Sequence, residues 1–128
     1  MNNTLKPIST LHTEHKEWLY KLSFYKEDLA IMQNRLDEIA KKNTSAELMA
    51  MVEQFQNQFS IQFEIIDLLK HDINQHESLI QKSILGNPVG SDHRKLPGHA
   101  GFEEKINQFE KSFADLRQRL FTFLAKVM

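Results

Sequence analysis

The sequence predicts an all-α fold: a long up-down-up three-helix bundle, antiparallel, with coiled-coil-like packing. Apolar residues recur at alternating steps of four and three along three segments, which is the spacing of helices that pack at shallow angles. Glycine and proline interrupt helices, and all four glycines and two of the three prolines lie within residues 86–101. This pattern excludes a sheet, and we expect helices at about 10–42, 45–85 and 101–127.

The first helix is predicted from an apolar seam that starts at Leu11 and contains one polar residue, His15. The helix should end at Lys42, because basic side chains in a last turn interact favourably with the negative end of the helix dipole. Asn43 can adopt the left-handed conformation that often follows a helix. These features predict a tight break after the first helix, although no glycine or proline lies there.

The second helix is predicted to begin near Ser45, where Thr44 and Glu47 have the spacing of a capping box. Its seam is apolar except at three positions: Gln62, His76 and Ser83. A hydrogen-bonded polar residue on such a seam can fix the register between helices, and we expect this of Gln62.

The third helix has a seam that runs from Phe102 to Val127, and one step before it stands His99. Its predicted length is about 40 Å, against about 50 Å and about 60 Å for the first and second helices. We therefore expect it to leave four apolar side chains exposed near the turn between the first two helices: Leu36, Ile39, Phe55 and Phe59. A homodimer would cover them, because burying a large apolar side chain is worth roughly 1.5 to 3 kcal/mol.

Composition narrows the class of protein. The 128 residues fit a single domain over 1–128, and 16 basic against 17 acidic residues give a net charge near zero. Without a strong positive field, we expect no nucleic-acid partner. The sequence has no cysteine, no signal-peptide pattern, and no apolar run near the about 20 residues of a membrane span. We expect a cytoplasmic protein without a membrane partner.

The stretch KHDINQHE places two histidines and two acids inside the helical pattern of the second helix. If the turn between the first two helices is treated as a mirror, residues at equal distances from it lie at the same height. His15 then lies opposite Asp72, and His76 lies opposite Leu11. The loop at 86–100 should begin and end at this same end of the bundle, so we expect all six histidines to gather there.

Imidazole and carboxylate groups are ligands that zinc and iron accept in proteins, and several helices can supply them to one site. The candidate metal ligands are His15, Asp72, His76 and His99, with His12, His71 and His93 nearby. The sequence contains neither HExxH nor the paired ExxH motifs of a ferritin-like di-iron centre. Histidines at helix ends are more often hydrogen-bonded polar residues than ligands, so we expect no cofactor, with a divalent metal such as zinc or iron as the alternative.

No catalytic motif occurs in the chain. An enzyme would need Asp72 or Glu77 to act with His15 or His76, yet His71 and Glu77 lie off the seam and should face outward or toward the loop. We therefore expect a non-enzymatic helical-bundle protein that acts by protein–protein interaction or self-association, as a homodimer. Metal binding at the histidine cluster is one alternative. A pH-responsive module, in which crowded histidines repel one another when protonated, is another.

Four stretches carry a resemblance to known sequences: FQNQFSIQFEIIDLLKHDINQHE, NPVGSDHR, FEKSF and FLAKVM. Together they resemble an uncharacterised family of short soluble bacterial all-helical proteins, over most of the chain. The resemblance implies a helical fold, and it implies no activity, ligand or site residue.

Overall fold

The computed structural model describes residues 8–43, 45–86 and 99–127, and for residues 8, 83–86, 99 and 100 it describes the backbone alone. Its helices are α1 (Ile8–Lys42), α2 (Ala46–Gly86) and α3 (His99–Val127). Each helix packs against the other two, and these ranges contain no strand. The predicted all-α three-helix bundle is confirmed, with every helix boundary within two residues of its expected position.

The turn between α1 and α2 is capped by Ser45. Its hydroxyl oxygen accepts a hydrogen bond from the backbone N–H of Leu48 at 3.2 Å, and its own N–H donates to the Asn43 side chain at 3.3 Å. Ser45 is therefore the N-cap of α2, as expected for a helix that begins near this residue. Thr44 itself lies outside the described residues. A cap at Ser45 satisfies one of the backbone donors that the first turn of α2 leaves without a helical partner.

The core consists of the seam residues of all three helices. The largest side chains with almost no exposed surface are Leu11, Leu22, Leu29, Met32, Leu36, Phe59, Ile66, Ile73, Ile80, Leu116 and Leu120. Nearly all of the buried apolar residues form one continuous cluster. Leu11 and Ile80 form a separate small cluster at the end of the bundle away from the α1–α2 turn. The core therefore becomes thinner at that end.

The α1–α2 turn end is covered, so the expectation that it is exposed is wrong. Phe55 and Phe59 are buried, as is Leu36, and Ile39 is half-buried. The Phe123 ring on α3 lies 5.3 Å from the Phe55 ring, measured between centroids. Because these side chains are covered within one chain, they do not support the expectation of a homodimer.

The position of α3 along α2 explains the difference. The Phe102 ring, in the first turn of α3, lies 5.2 Å from the His76 ring, whereas α2 continues to Gly86. Residues 87–98 are numerous enough to span about 40 Å when extended, so α3 can begin well back along α2. The last turns of α2 therefore extend past the start of α3.

Tyr25 joins α1 to α3. Its hydroxyl donates to the Glu110 carboxylate at 2.6 Å, and its ring packs against Phe113 at 4.7 Å between centroids. Burial, together with the hydrogen bond and negative charge of Glu110, raises the pKa of Tyr25 to about 12. Further along both helices Arg117 donates to Asp28 at 3.1 Å, so α1 and α3 run in the same direction. The hydroxyl of Tyr25 is thus a neutral, half-buried hydrogen-bond donor.

Gln62 is the polar residue in the middle of the α2 seam. It is buried, and its amide nitrogen donates to the Ser112 hydroxyl of α3 at 3.0 Å. Its carbonyl oxygen has no hydrogen-bond partner among the described residues. Gln62 therefore makes the hydrogen bond expected of it and leaves one acceptor unsatisfied, which is energetically unfavourable in an apolar interior.

Replacing Gln62 by methionine should raise the free energy of unfolding by about 1 kcal/mol, because methionine keeps the volume and removes the unsatisfied oxygen. Ser112 is exposed, so water can replace Gln62 as its partner. Urea unfolding measures the effect. Gln56→Met, at an exposed position of the same helix, is the control and should change stability by less than about 0.5 kcal/mol. A less stable Gln62→Met variant would contradict the expectation.

Candidate functional site: a histidine and glutamate network

Four polar side chains from α1 and α2 meet at the end of the bundle away from the α1–α2 turn: His12, His15, His76 and Glu77. His15 and His76 are on the seams of their helices and expose 0% and 6% of their surface. Glu77 exposes 14% of its side chain, and His12 exposes 41%. The network therefore extends from the interior of the bundle to its surface.

The Glu77 carboxylate connects both α1 histidines. One oxygen accepts a hydrogen bond from Nδ1 of His15 at 2.8 Å, and the other accepts one from Nδ1 of His12. On the far side of the His15 ring, Nε2 lies 3.0 Å from Nδ1 of His76. Glu77, His15 and His76 thus form a hydrogen-bonded chain that leads inward from the carboxylate.

Burial by itself raises the pKa of Glu77, but hydrogen bonds from His15 and His12 and the positive charge that His12 can carry outweigh it. The pKa of Glu77 is lowered as a result. A carboxylate with a lowered pKa is ionised at neutral pH and can only accept hydrogen bonds. It therefore holds a proton on Nδ1 of His15, and this sets the protonation pattern of the chain.

The two buried rings can pass a proton between them. When His15 is neutral, its Nε2 is an acceptor and Nδ1–H of His76 donates to it. A proton added to Nε2 of His15 reverses this hydrogen bond if His76 moves its own proton from Nδ1 to Nε2. A second added proton would leave two N–H groups facing each other at 3.0 Å. The pair can thus take up one proton without losing its contact, but not two.

Aromatic side chains surround the two rings. The His15 and His76 rings meet edge to face at 4.9 Å between centroids. Trp18 lies 5.7 Å from the His15 ring, and Phe102 of α3 lies 5.2 Å from the His76 ring. Such walls limit the access of water, which strengthens hydrogen bonds and increases the free-energy cost of an uncompensated charge.

The structure brings together two of the four predicted metal ligands, His15 and His76. Asp72 lies elsewhere, in a cleft between α2 and α3 with Leu68 and Lys105. The side chain of His99 and all of His93 lie outside the described part of the chain, and His71 is exposed. His12, predicted to lie nearby, does so.

Glu77 was expected to face outward or toward the loop, and this expectation is wrong. It turns toward α1 and accepts hydrogen bonds from both histidines of the HTEH stretch. The available signal was the spacing of His12 and His15, which lie one helical turn apart and so present two donors on one side of α1. A single carboxylate on α2 can accept hydrogen bonds from both histidines.

The mirror that placed His15 opposite Asp72 is wrong by one helical turn. His15 contacts His76, and Leu11 packs with Ile80. Side chains on a helix lean toward its N-terminus, by about one residue position each. In an antiparallel pair these two displacements add, so the lean of the side chains accounts for about two of the four residues by which the partner lies further along α2.

Among the described side chains, no group of three or more histidines and carboxylates is arranged to hold a metal ion. The nitrogens of His15 face Glu77 and His76 at hydrogen-bond distance. The zinc or iron site at His15, Asp72, His76 and His99 stays a prediction from the sequence.

Comparisons with known families, proteins and structures do not identify a relative of this chain. No protein-family model matches the chain, no curated protein matches it significantly, and no solved structure matches it significantly. The resemblance to short bacterial helical proteins therefore stays a prediction. Within the described helices, no stretch is long and apolar enough to cross a membrane.

Glu77→Gln should lower the free energy of unfolding at pH 7 by about 1 to 3 kcal/mol, because an amide oxygen replaces only one of the two charge-assisted acceptors. The lowered pKa of Glu77 means that its contribution is present above the ordinary value of 4.5 and is lost as pH falls through the folded-state value. The difference in free energy of unfolding between wild type and Glu77→Gln should therefore disappear in acid.

This difference in free energy of unfolding is measured by urea unfolding at pH 7 and at stepwise lower pH. Glu64→Gln, at an exposed position of the same helix, is the matched control and should show no gap at either pH. Equal stability of Glu77→Gln and wild type at pH 7, or a stability difference that persists below the folded-state pKa of Glu77, would contradict the assigned role of Glu77.

Proposed function

We propose that this protein is a non-enzymatic helical bundle that works by self-association, as a homodimer. The observation that supports the proposal is a set of large apolar side chains exposed on the outer surface of α1 and α2. These are Tyr20, Phe24, Ile31, Met49, Met51, Ile61, Leu68 and Leu79. Single exposed apolar residues are common, but a row of them along one helix is typical of an interaction surface.

The exposed residues of α2 form such a row. Ile61 and Leu68 lie two turns apart on one side of the helix and expose 53% and 57% of their surface. Ile65 lies between them and is half-buried. Covering the exposed half of one such side chain is worth roughly 1 kcal/mol, so several of them together support a reversible association.

Sedimentation equilibrium tests self-association directly. A monomer has a mass of 15.0 kDa, and the average mass should rise toward twice that value between low micromolar and several hundred micromolar protein. The midpoint should shift to lower concentration at high sulfate, because such salts strengthen apolar association. A constant 15.0 kDa across the whole range would remove the proposal.

A second proposal concerns the histidine network, which makes the bundle responsive to acid. An unfolded chain protonates both His15 and His76 below about pH 6.5, whereas the folded pair keeps its contact with only one added proton. Glu77 offsets one positive charge and is shared with His12. On α3, the half-buried Glu103 follows Phe102 at the edge of the network. Stability should therefore fall as pH falls, because the unfolded state binds more protons.

One excluded proton corresponds to about 1.4 kcal/mol of stability per pH unit below about pH 6.5. The melting temperature of the wild type should thus fall between pH 7.5 and 5.5. His76→Gln keeps a side chain that can donate to or accept from His15, and cannot be protonated, so it should flatten this dependence. His71→Gln, at an exposed position, should leave it unchanged. A flat wild-type profile, or equal flattening by His71→Gln, would remove this proposal.

A further inference from the structure

The histidine network separates one apolar contact from the rest of the core. Leu11 of α1 and Ile80 of α2 pack together and form a cluster of their own. Between this pair and the continuous core lie His15, His76 and Glu77. Among the described side chains beyond the network, Leu11 and Ile80 are the only buried apolar ones. The first turns of α1 are therefore held to the bundle by one apolar contact and by the network.

Helix α3 adds no described contact to this apolar pair. Phe102 is the first α3 side chain after Gly101, and its ring lies 5.2 Å from the His76 ring. Phe102 packs on the continuous core and not on the cluster of Leu11 and Ile80. A helix end with few buried contacts opens locally at a free energy well below that of global unfolding.

Charge also weakens the start of α1. The helix begins at Ile8 and has no acidic residue in its first turn, so the positive end of its dipole is not offset there. His12 and His15 lie in the second turn. A proton taken up by either histidine adds positive charge near that end, which is unfavourable. Protonation thus acts on α1 where its packing is thinnest.

We propose that acid releases the first two turns of α1, residues 8–15, from α2 while the rest of the bundle stays folded. The inference rests on the proposed acid response and names the segment that responds. At neutral pH the network holds this segment, because Glu77 accepts hydrogen bonds from His12 and His15. Nε2 of His15 also contacts His76. Release breaks all three contacts, since both α1 histidines leave with the segment.

The open form of the chain binds more protons than the closed form. On release His12, His15 and His76 reach water, where imidazole has a pKa of about 6.5. In the closed form the pair of His15 and His76 keeps its contact with one added proton and not with two. At least one proton is thus excluded from the closed form. Below about pH 6.5 the ratio of open to closed chains should therefore rise about tenfold per pH unit.

The Glu77 carboxylate keeps its charge over this range of pH. Burial raises the pKa of Glu77, but hydrogen bonds from His15 and His12 outweigh burial and lower the pKa from its ordinary value of 4.5. Glu77 is therefore ionised between pH 7.5 and 5.5 and offsets one positive charge. The protons taken up in this range go to the imidazoles.

Other charged side chains lie around the ring pair. On α1 the half-buried Glu14 is next to His15 in sequence. On α3 the half-buried Glu103 follows Phe102, and Lys105 lies over the Phe102 ring at 5.9 Å from its centroid. These carboxylates can offset positive charge, but they do not change the contact between two N–H groups. The excluded proton therefore depends on the geometry of the two rings.

The rest of α1 keeps its packing when the segment leaves. From Trp18 onward the buried seam residues of α1 belong to the continuous core. In that region the Tyr25 hydroxyl donates to Glu110 of α3 at 2.6 Å, and this contact involves no histidine. The boundary of the opening lies between His15 and Trp18, whose ring centroids are 5.7 Å apart.

Amide hydrogen exchange measured by NMR tests the release of the segment. After correction for the intrinsic effect of pH, the amides of residues 12–16 should exchange about tenfold faster at pH 5.5 than at pH 6.5. The amides of residues 29–36, in the same helix, are the internal control and should not change. His76→Gln should remove the acceleration, because glutamine is not protonated. His71→Gln, at an exposed position, should leave it in place.

Trp18 is the one tryptophan of the chain and reports on the same opening. Its ring is 7% exposed, and its fluorescence emission should shift to longer wavelength between pH 7.5 and 5.5 as water reaches it. The helical circular dichroism should fall by less than a tenth, because eight residues leave helices of 35, 41 and 29 residues. This measurement uses the wild-type chain and does not depend on the folding of a variant.

The outcomes separate this inference from the proposed acid response. A melting temperature and exchange rates that are all unchanged between pH 7.5 and 5.5 overturn both. A melting temperature that falls while residues 12–16 and 29–36 accelerate together overturns the local release and leaves the acid response intact. Equal acceleration in His76→Gln overturns the role of the ring pair, and the inference with it. Acceleration confined to residues 12–16, a shift of Trp18 emission and loss of both in His76→Gln support the inference.

Discussion

The register of α1 against α2 determines where the polar groups of this bundle lie. It is set by a turn capped at Ser45 and by two apolar seams that must stay in contact over their whole length. A shift by one turn would move His15 away from His76 and Glu77. Because the seams are continuous, such a shift would keep apolar contacts and lose the hydrogen bonds. The polar groups thus distinguish one register among several that the apolar residues permit.

The histidine network lies where the core is thinnest. Beyond His76 the last turns of α2 pass the start of α3, and Leu11 and Ile80 form a cluster separate from the main core. Buried polar groups at such an end cost less stability than they would in the middle of the bundle. Opening of this end would also disturb few of the core contacts. The proposed response to acid would therefore begin at this end of the bundle.

The stretch KHDINQHE serves two surfaces of one helix. His76 and Glu77 turn toward α1 and form the network, whereas Asp72 lies in the cleft beside α3. At 3.6 residues per turn Asp72 is rotated by about 40° from His76 and by about 140° from Glu77, so it lies at the edge of the α2 face that contacts α1. What the sequence presents as one polar cluster is thus divided between the interior and the outer surface.

The sequence by itself determined the helices, their ends and their buried faces, because these depend on local spacing and on the capping residues. Leu22, Ile66 and Leu120 could be assigned to the core from periodicity alone. Only the tertiary structure decided that Glu77, rather than Asp72, binds the α1 histidines, and that α3 covers Phe55. Both depend on how far one helix slides along another. That displacement is set by the lean of side chains and by packing between distant residues, which no local pattern encodes.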